Sequence, residues 1–483
     1  MSVSEAPHTG AETGLLARIA SPFAVGVGAR IGGQAIAFAL VVVASRHLSL
    51  AEFGVYALTW AAAVIATTFV FTGFYHAVLR ADDLEERIDS LFWLTALVGA
   101  LGGAAIAVTG LVVGADTELG GALLIVAPLP LIAAPSAWNE AQMLRARRAR
   151  AASLYTLATE TVAFVTAVIL FKQGLGIMAL LTARWVASLF GFSLTTALVR
   201  RLPRLRLRGA DARESGRTAL PLWGTSAIGM FSHYGADIVL AAYLSPAAVG
   251  AYRSGARIAM TAADVVFQPL RMLSWSRFSR MEQDGQRSGI GAAWCENTAF
   301  ACAMLFPVMA GVGLLAEDLV VTVFDEGWAA AAPIVAILCL SRSITTPQAL
   351  AEPTLMCMDK ARLQVMLRIL GGVVLLIALL TLGRYGPEAA AWGVTLAMLV
   401  TTIATIGALV HVLGLTAGDL ARTFAPGLAI AGLCAASVLA LAPRLEGMAT
   451  GPALLVHIGA GAAIWAISMA VLMRLRVLVL PTP

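Results

Sequence analysis

Leu48-Ser49-Leu50-Ala51-Glu52-Phe53-Gly54-Val55-Tyr56 returns 196 residues later as Leu244-Ser245-Pro246-Ala247-Ala248-Val249-Gly250-Ala251-Tyr252, with five of the nine positions identical. Each stretch joins one long apolar run to the next. A weaker pair links Ala149-Arg150 to Ala361-Arg362 and Lys172-x-Gly174 to Arg384-x-Gly386 at an offset of 212, which implies a 16-residue insertion in the second half. Six apolar runs separate the matched segments. An even number preserves chain direction, so the halves read as parallel repeats related by an axis along the membrane normal, the pseudo-symmetry of transporters whose site lies between two halves.

Composition dictates the solvent. The 483 residues are 59% hydrophobic and 13% charged, with a mean hydropathy of +0.84. A soluble domain carries about 25% charged residues, so this chain cannot cover a water-facing surface and lipid must surround most of it. A spanning helix needs about 20 mainly apolar residues, and fourteen runs qualify. The expected fold is an all-α integral membrane protein with about 14 transmembrane helices: two pseudo-symmetric six-helix bundles and two extra C-terminal helices. Residues 1–20 form an N-terminal tail, 21–199 the first bundle, 200–218 a basic linker, 219–414 the second bundle and 415–483 the added pair. The tenth run, 328–351, is expected to extend or kink around Pro347 and Pro353. A β-barrel is excluded because the runs are continuous instead of alternating. Gly28-x-x-x-Gly32, Gly99-x-x-x-Gly103 and Gly110-x-x-x-Gly114 read as close-packing sites between helices. The first run exceeds a signal sequence in length and lacks a cleavage site, so it is expected to stay as a helix.

Charge sets the expected orientation. With the N-terminus inside, 23 of the 33 basic residues fall in cytoplasmic segments and four outside, the sign of the positive-inside rule. Both termini are then cytoplasmic. The net charge of +5 reflects arginines in inside loops beside anionic headgroups. No basic stretch carries interleaved aromatics, which argues against nucleic-acid binding.

Six arginines remain within the runs: Arg30, Arg184, Arg253, Arg257, Arg342 and Arg368. Each costs roughly 2.5–3.5 kcal/mol at mid-helix on insertion scales, so it must face a wet cavity, a partner or the headgroups. Arg184 and Arg368 are ambiguous. In the eighth run, Arg253, Asp264, Arg257 and Gln268 fall at about 0°, 20°, 40° and 60° around a helix of 100° per residue. Arg30 and Gln34 share a face of the first run, and His233 and Asp237 share one of the seventh. These pairs either lock the bundle or line a cationic cavity, because guanidinium forks match phosphate oxygens. More interior arginines than matching acids favours the cavity, with Arg30, Gln34, Arg253, Arg257, Arg342 and Gln268 as substrate ligands. His233, Asp237 and Asp264 are candidates for coupling to an ion gradient.

Other chemistries lack their residues. The only lysines, Lys172 and Lys360, do not follow glycine, so there is no phosphate-binding P-loop. No histidine opens a zinc-protease motif, and the five cysteines show no metal spacing; no metal or cofactor is expected. Two alternatives compete with a carrier of anionic cargo. An ion-coupled exporter of small cationic molecules would favour acids and aromatics over arginines. A membrane glycan polymerase or ligase would need a larger outside loop than 316–327.

Several motifs occur in order: Arg30-x-x-x-Gln34, Arg46-x-Leu48, Phe53-Gly54-x-Tyr56, Val249-Gly250-x-Tyr252, Arg257-Ile258, Gln268-Pro269-Leu270, Phe278-Ser279-Arg280 with Asp284, and Gly327-Trp328-x-x-Ala331-x-Pro333. On these the chain resembles bacterial polysaccharide-export proteins of the oligosaccharide flippase (Wzx-type) family, in the superfamily that includes MATE exporters and lipid II flippases. It departs from that family at Ser274-Trp275, where relatives tend to carry Phe-Pro. The resemblance implies twelve core helices with an appended pair and alternating access between the halves. It also implies the cargo, an undecaprenyl-diphosphate-linked oligosaccharide moved to the outer leaflet. Expected partners are membrane lipid and the polysaccharide polymerase and chain-length machinery.

Overall fold

The computed structural model describes residues 22–80 and 85–480, which are almost entirely α-helical, with no strand among them. The first bundle comprises α1 (Pro22–Ser45), α2 (Leu50–Val70), α3 (Phe74–Arg80), α4 (Glu85–Val113), α5 (Glu118–Val126), α6 (Leu129–Arg145), α7 (Ala149–Lys172) and α8 (Ile177–Val199). The second comprises α9 (Gly209–Tyr243), α10 (Pro246–Gln283), α11 (Ile290–Leu314), α12 (Ala316–Val323), α13 (Ala332–Ile344), the short α14 (Thr346–Ala349) and α15 (Ala351–Cys357), α16 (Ala361–Leu382) and α17 (Pro387–Leu413). The chain ends with α18 (Ala417–Leu445) and α19 (Thr450–Arg474). Eleven helical stretches among the described residues are long and apolar enough to cross a membrane. The protein is a multi-pass membrane protein. The long helices α9 and α10 are not among the eleven; they carry His233, Asp237, Arg253, Arg257, Asp264 and Gln268.

The two matched segments become the same structure and pack on one another. Ser49 caps α2, accepting from the Glu52 amide while the Glu52 carboxylate accepts from the Ser49 amide. Ser245 caps α10 in the same way through the Ala248 amide, with Pro246 at the first helical position. A Cβ on Gly54 would lie 1.8 Å from the Pro246 carbonyl oxygen, and one on Gly250 would lie 2.1 Å from that of Leu50. Pro246 is the repeat counterpart of Leu50, so the contact is reciprocal about a local two-fold axis. Only glycine allows backbones this close.

Several boundaries differ from the sequence expectation. The linker is non-helical only over residues 200–208, because α9 starts at Gly209. This strap is pinned to α4: the Trp93 Nε1–H donates to the Arg204 carbonyl, and the Arg208 amide to Ser90 Oγ. The second and fourth spans are each broken in two, the latter at Pro128 between α5 and α6. Gly99 and Gly103 press against that break, where the backbone carbonyls of Pro130 and Ala127 leave no room for a Cβ. Gly28, by contrast, faces open space and packs nothing closely. The tenth span both breaks and extends, through α13, α14 and α15, around Pro347 and Pro353. The appended pair docks on α11, with Gly427 against Cys302 and the Trp465 Nε1–H donating to the Ala303 carbonyl at 3.2 Å.

Candidate functional site

Between the bundles lies a chamber of about 580 Å³, walled by α1, α2, α7 and α8 on one side and by α9 and α10 on the other. On the α1 side, small residues at helical spacing, Ala29, Gly33, Ala37 and Ala44, leave room for it beside Gln34, Leu40 and Val41. The end where α1 turns into α2 is sealed. There the buried Trp328 ring meets Phe53 edge-on at 5.1 Å and stacks on Phe324 at 5.6 Å. Beside it, Arg46 Nη2 donates to the Thr322 and Val323 carbonyls at 3.1 and 3.3 Å.

Three guanidinium groups point into the chamber, and two of them are matched by acids. Arg253 Nη1 pairs with the buried Asp237 carboxylate at 3.1 Å, and its guanidinium lies 4.6 Å from the Tyr234 ring centroid. Arg184 Nη1 pairs with Glu160 at 3.2 Å, its Nε–H donates to Tyr56 Oη at 3.2 Å, and its guanidinium lies 4.3 Å from the Trp60 ring centroid. Both contacts with rings are cation–π geometries. Arg257 differs. Its Nη2 donates weakly to Gln34 Oε1 at 3.4 Å, its Nε–H is buried without an acceptor, and no carboxylate pairs with it among the described residues. Among the described residues, three cations against two anions leave one positive charge in excess, and it sits on Arg257. A buried guanidinium N–H without an acceptor is costly to maintain unless a ligand oxygen meets it.

The structure sorts the expected residues. Gln34, Arg253 and Arg257 line the chamber. Arg30 lies on α1 one turn before Gln34, with its side chain outside the described residues. Arg342, Gln268 and Asp264 do not line the chamber: Arg342 stands at the end of α13, and the other two lie farther along α10, half-buried. His233 is exposed and lies edge-on to Tyr234; it does not pair with Asp237, whose carboxylate turns to Arg253 on the next helix. Among the described residues the expected excess of arginine over acid narrows to one at the chamber, since Glu160 and Asp237 each neutralise an arginine. Sequence reasoning passed over Glu160, Tyr56, Trp60 and Tyr234 as site residues. A signal existed for one pair: Glu160 is the lone acid of α7 and Arg184 the lone charge of α8.

The profile of the polysaccharide biosynthesis protein family matches residues 43–333, more than half of the chain. The chain belongs to that family. This family member is 26% identical over 327 residues to the succinoglycan biosynthesis transport protein ExoT of Rhizobium meliloti (strain 1021). That similarity spans 66% of the chain and 65% of the relative's length, just under two thirds. Among solved structures, the lipid II flippase MurJ in an inward closed conformation matches with a TM-score of 0.74, at 11% identity, over 94% of this chain and 98% of MurJ. An inward-facing multidrug resistance MATE family transporter of the MOP superfamily matches with a TM-score of 0.62 at 15% identity, over 80% of this chain and 96% of the transporter. At such identities the likeness is one of fold. The family segment contains Arg253, Arg257 and the Trp328 seal, and stops short of Arg342.

Proposed function

We propose that this polysaccharide biosynthesis family member is a flippase for undecaprenyl-diphosphate-linked oligosaccharide, carrying it from the cytoplasmic to the periplasmic leaflet by alternating access. The observation that carries this reading is Arg257, a guanidinium that lines the chamber between the two bundles and has no paired carboxylate among the described residues. A diphosphate supplies the acceptor geometry that this group lacks. Trp60, Tyr56 and Tyr234 offer apolar faces and hydroxyls suited to sugar rings, and the prenyl chain stays in lipid. A volume of about 580 Å³ fits the headgroup and its first sugars. The linker end, rich in arginine, is the cytoplasmic side, both termini included, so the sealed end faces the periplasm and the chamber is poised to load from inside. The curated relative, itself a biosynthesis transport protein for a polysaccharide, supports the cargo class.

Complementation of a polysaccharide-export deletion tests it. Arg257→Ala is expected to abolish surface polymer at normal protein level, and Arg257→Lys to restore only part of it, because an ammonium keeps the charge but loses the fork. Full polymer output from Arg257→Ala would discard the assignment.

A further inference from the structure

A second cavity of about 220 Å³ lies inside the first bundle and shares the wall formed by Trp60, Glu160 and Arg184 with the chamber. Its remaining lining is rich in hydroxyls: Thr67, Ser136, Tyr155, Thr159 and Ser188. At about 30 Å³ per water the volume holds several molecules, and the lining supplies the polar partners that buried water needs. One turn beyond Ser136 on α6 stands Glu140, whose carboxylate accepts from Tyr75 Oη at 3.1 Å. No basic side chain pairs with Glu140 among the described residues, although it lies on a membrane-spanning stretch. Tyr155, on α7, lies in the electrostatic field of both Glu140 and Glu160. Past Glu140, α6 ends at Arg145 on the linker side.

Unpaired carboxylates in membrane helices mark proton or ion routes more often than they stabilise a bundle. We propose that the first bundle contains a proton shaft: Glu140 and Glu160 exchange a proton through water in the smaller cavity, and the proton occupancy of Glu160 decides whether Arg184 is held or released to the chamber. When Glu160 gains a proton, its O–H forms as the donor water's O–H breaks, and the charge clamping Arg184 disappears. When it loses the proton to water, the proton passes by Ser136 and Tyr155 to the Glu140 carboxylate, and from there to the linker side. The groups facing Glu160 are Arg184 from α8, which also donates to Tyr56 of α2, Arg257 from α10 and Tyr155 on its own helix. Those facing Glu140 are Tyr75 from α3 and Tyr155 from α7. The shaft rests on the transporter reading only for the use made of the proton.

The test has two arms on the full-length protein. In substrate-free protein in nanodiscs, infrared spectroscopy after a downward pH jump follows the protonated-carboxyl band of Glu160, identified by its loss in Glu160→Gln. The rise of that band is expected to slow on the order of a hundredfold in Glu140→Gln, the scale of a lost proton-transfer group. An unchanged rise, or no Glu160 band at all, overturns the shaft. In proteoliposomes carrying lipid-linked oligosaccharide, wild-type flipping is expected to respond to pH on the linker side, and Glu140→Gln is expected to flip without that response. A retained response overturns the shaft and leaves the flippase. If wild-type protein moves no glycolipid, the flippase reading fails, and the infrared arm still decides the shaft.

Discussion

Gly54→Ala tests the pivot between the halves. Its Cβ would sit 1.8 Å from the Pro246 carbonyl oxygen and 3.0 Å from the Gly250 nitrogen. A carbon–oxygen contact tolerates about 3.3 Å, so α2 and α10 must part by about 1.5 Å at their crossing. Both obstacles are backbone in capped helices, so no side-chain rotation relieves the clash. Forcing extra volume into such packing costs about 1–3 kcal/mol. A conformation that separates these helix starts escapes that cost, so the equilibrium should move toward opening of the sealed end by about 5- to 150-fold. Spin labels at Lys172, the exposed last residue of α7, and at the exposed Tyr385 just after α16, both on the sealed side, report the separation on a background with the five cysteines replaced. The label distance is expected to lengthen in Gly54→Ala, and likewise in Gly250→Ala because the contact is reciprocal. A folded Gly54→Ala protein with the wild-type distance distribution would refute the pivot.

Asp237→Ala leaves Arg253 buried without its anion and should cost about 3–5 kcal/mol in thermal unfolding, most of it recovered by adding Arg253→Met; an unrecovered double variant would show that the pair is not what stabilises this crossing. Trp328→Ala removes a buried ring packed between Phe53 and Phe324 and should destabilise the sealed state by about 3–5 kcal/mol, read as faster labelling of a cysteine at Ala44; unchanged labelling would count against the aromatic seal. Ser274→Phe displaces a buried hydroxyl that accepts from Asn297 Nδ2 at 2.8 Å, while Asn297 Oδ1 accepts from Arg277 Nη1 at 2.9 Å. It should lower stability by about 1–3 kcal/mol, and a higher melting temperature would show that the site is not tightly packed.

Lipid as solvent, the helix runs, the parallel repeat and the polar stripes on α1, α9 and α10 were all legible in sequence, because each depends on periodicity along one helix or on an offset between two identical strings. The nine-residue repeat even named the two glycines that meet. What those stripes face depends on how each helix is rotated against its neighbours, and no local pattern encodes that. His233 and Asp237 are one turn apart on α9, yet Asp237 belongs to Arg253 across the helix–helix contact. Glu160 and Arg184, separated by 24 residues, likewise form a unit only because α7 and α8 pack side by side. Tertiary packing alone therefore decided that Arg253 and Arg184 are neutralised and that Arg257 has no paired carboxylate among the described residues. Desolvation requires interior charges to find partners, and the partner a helix can reach is set by the fold.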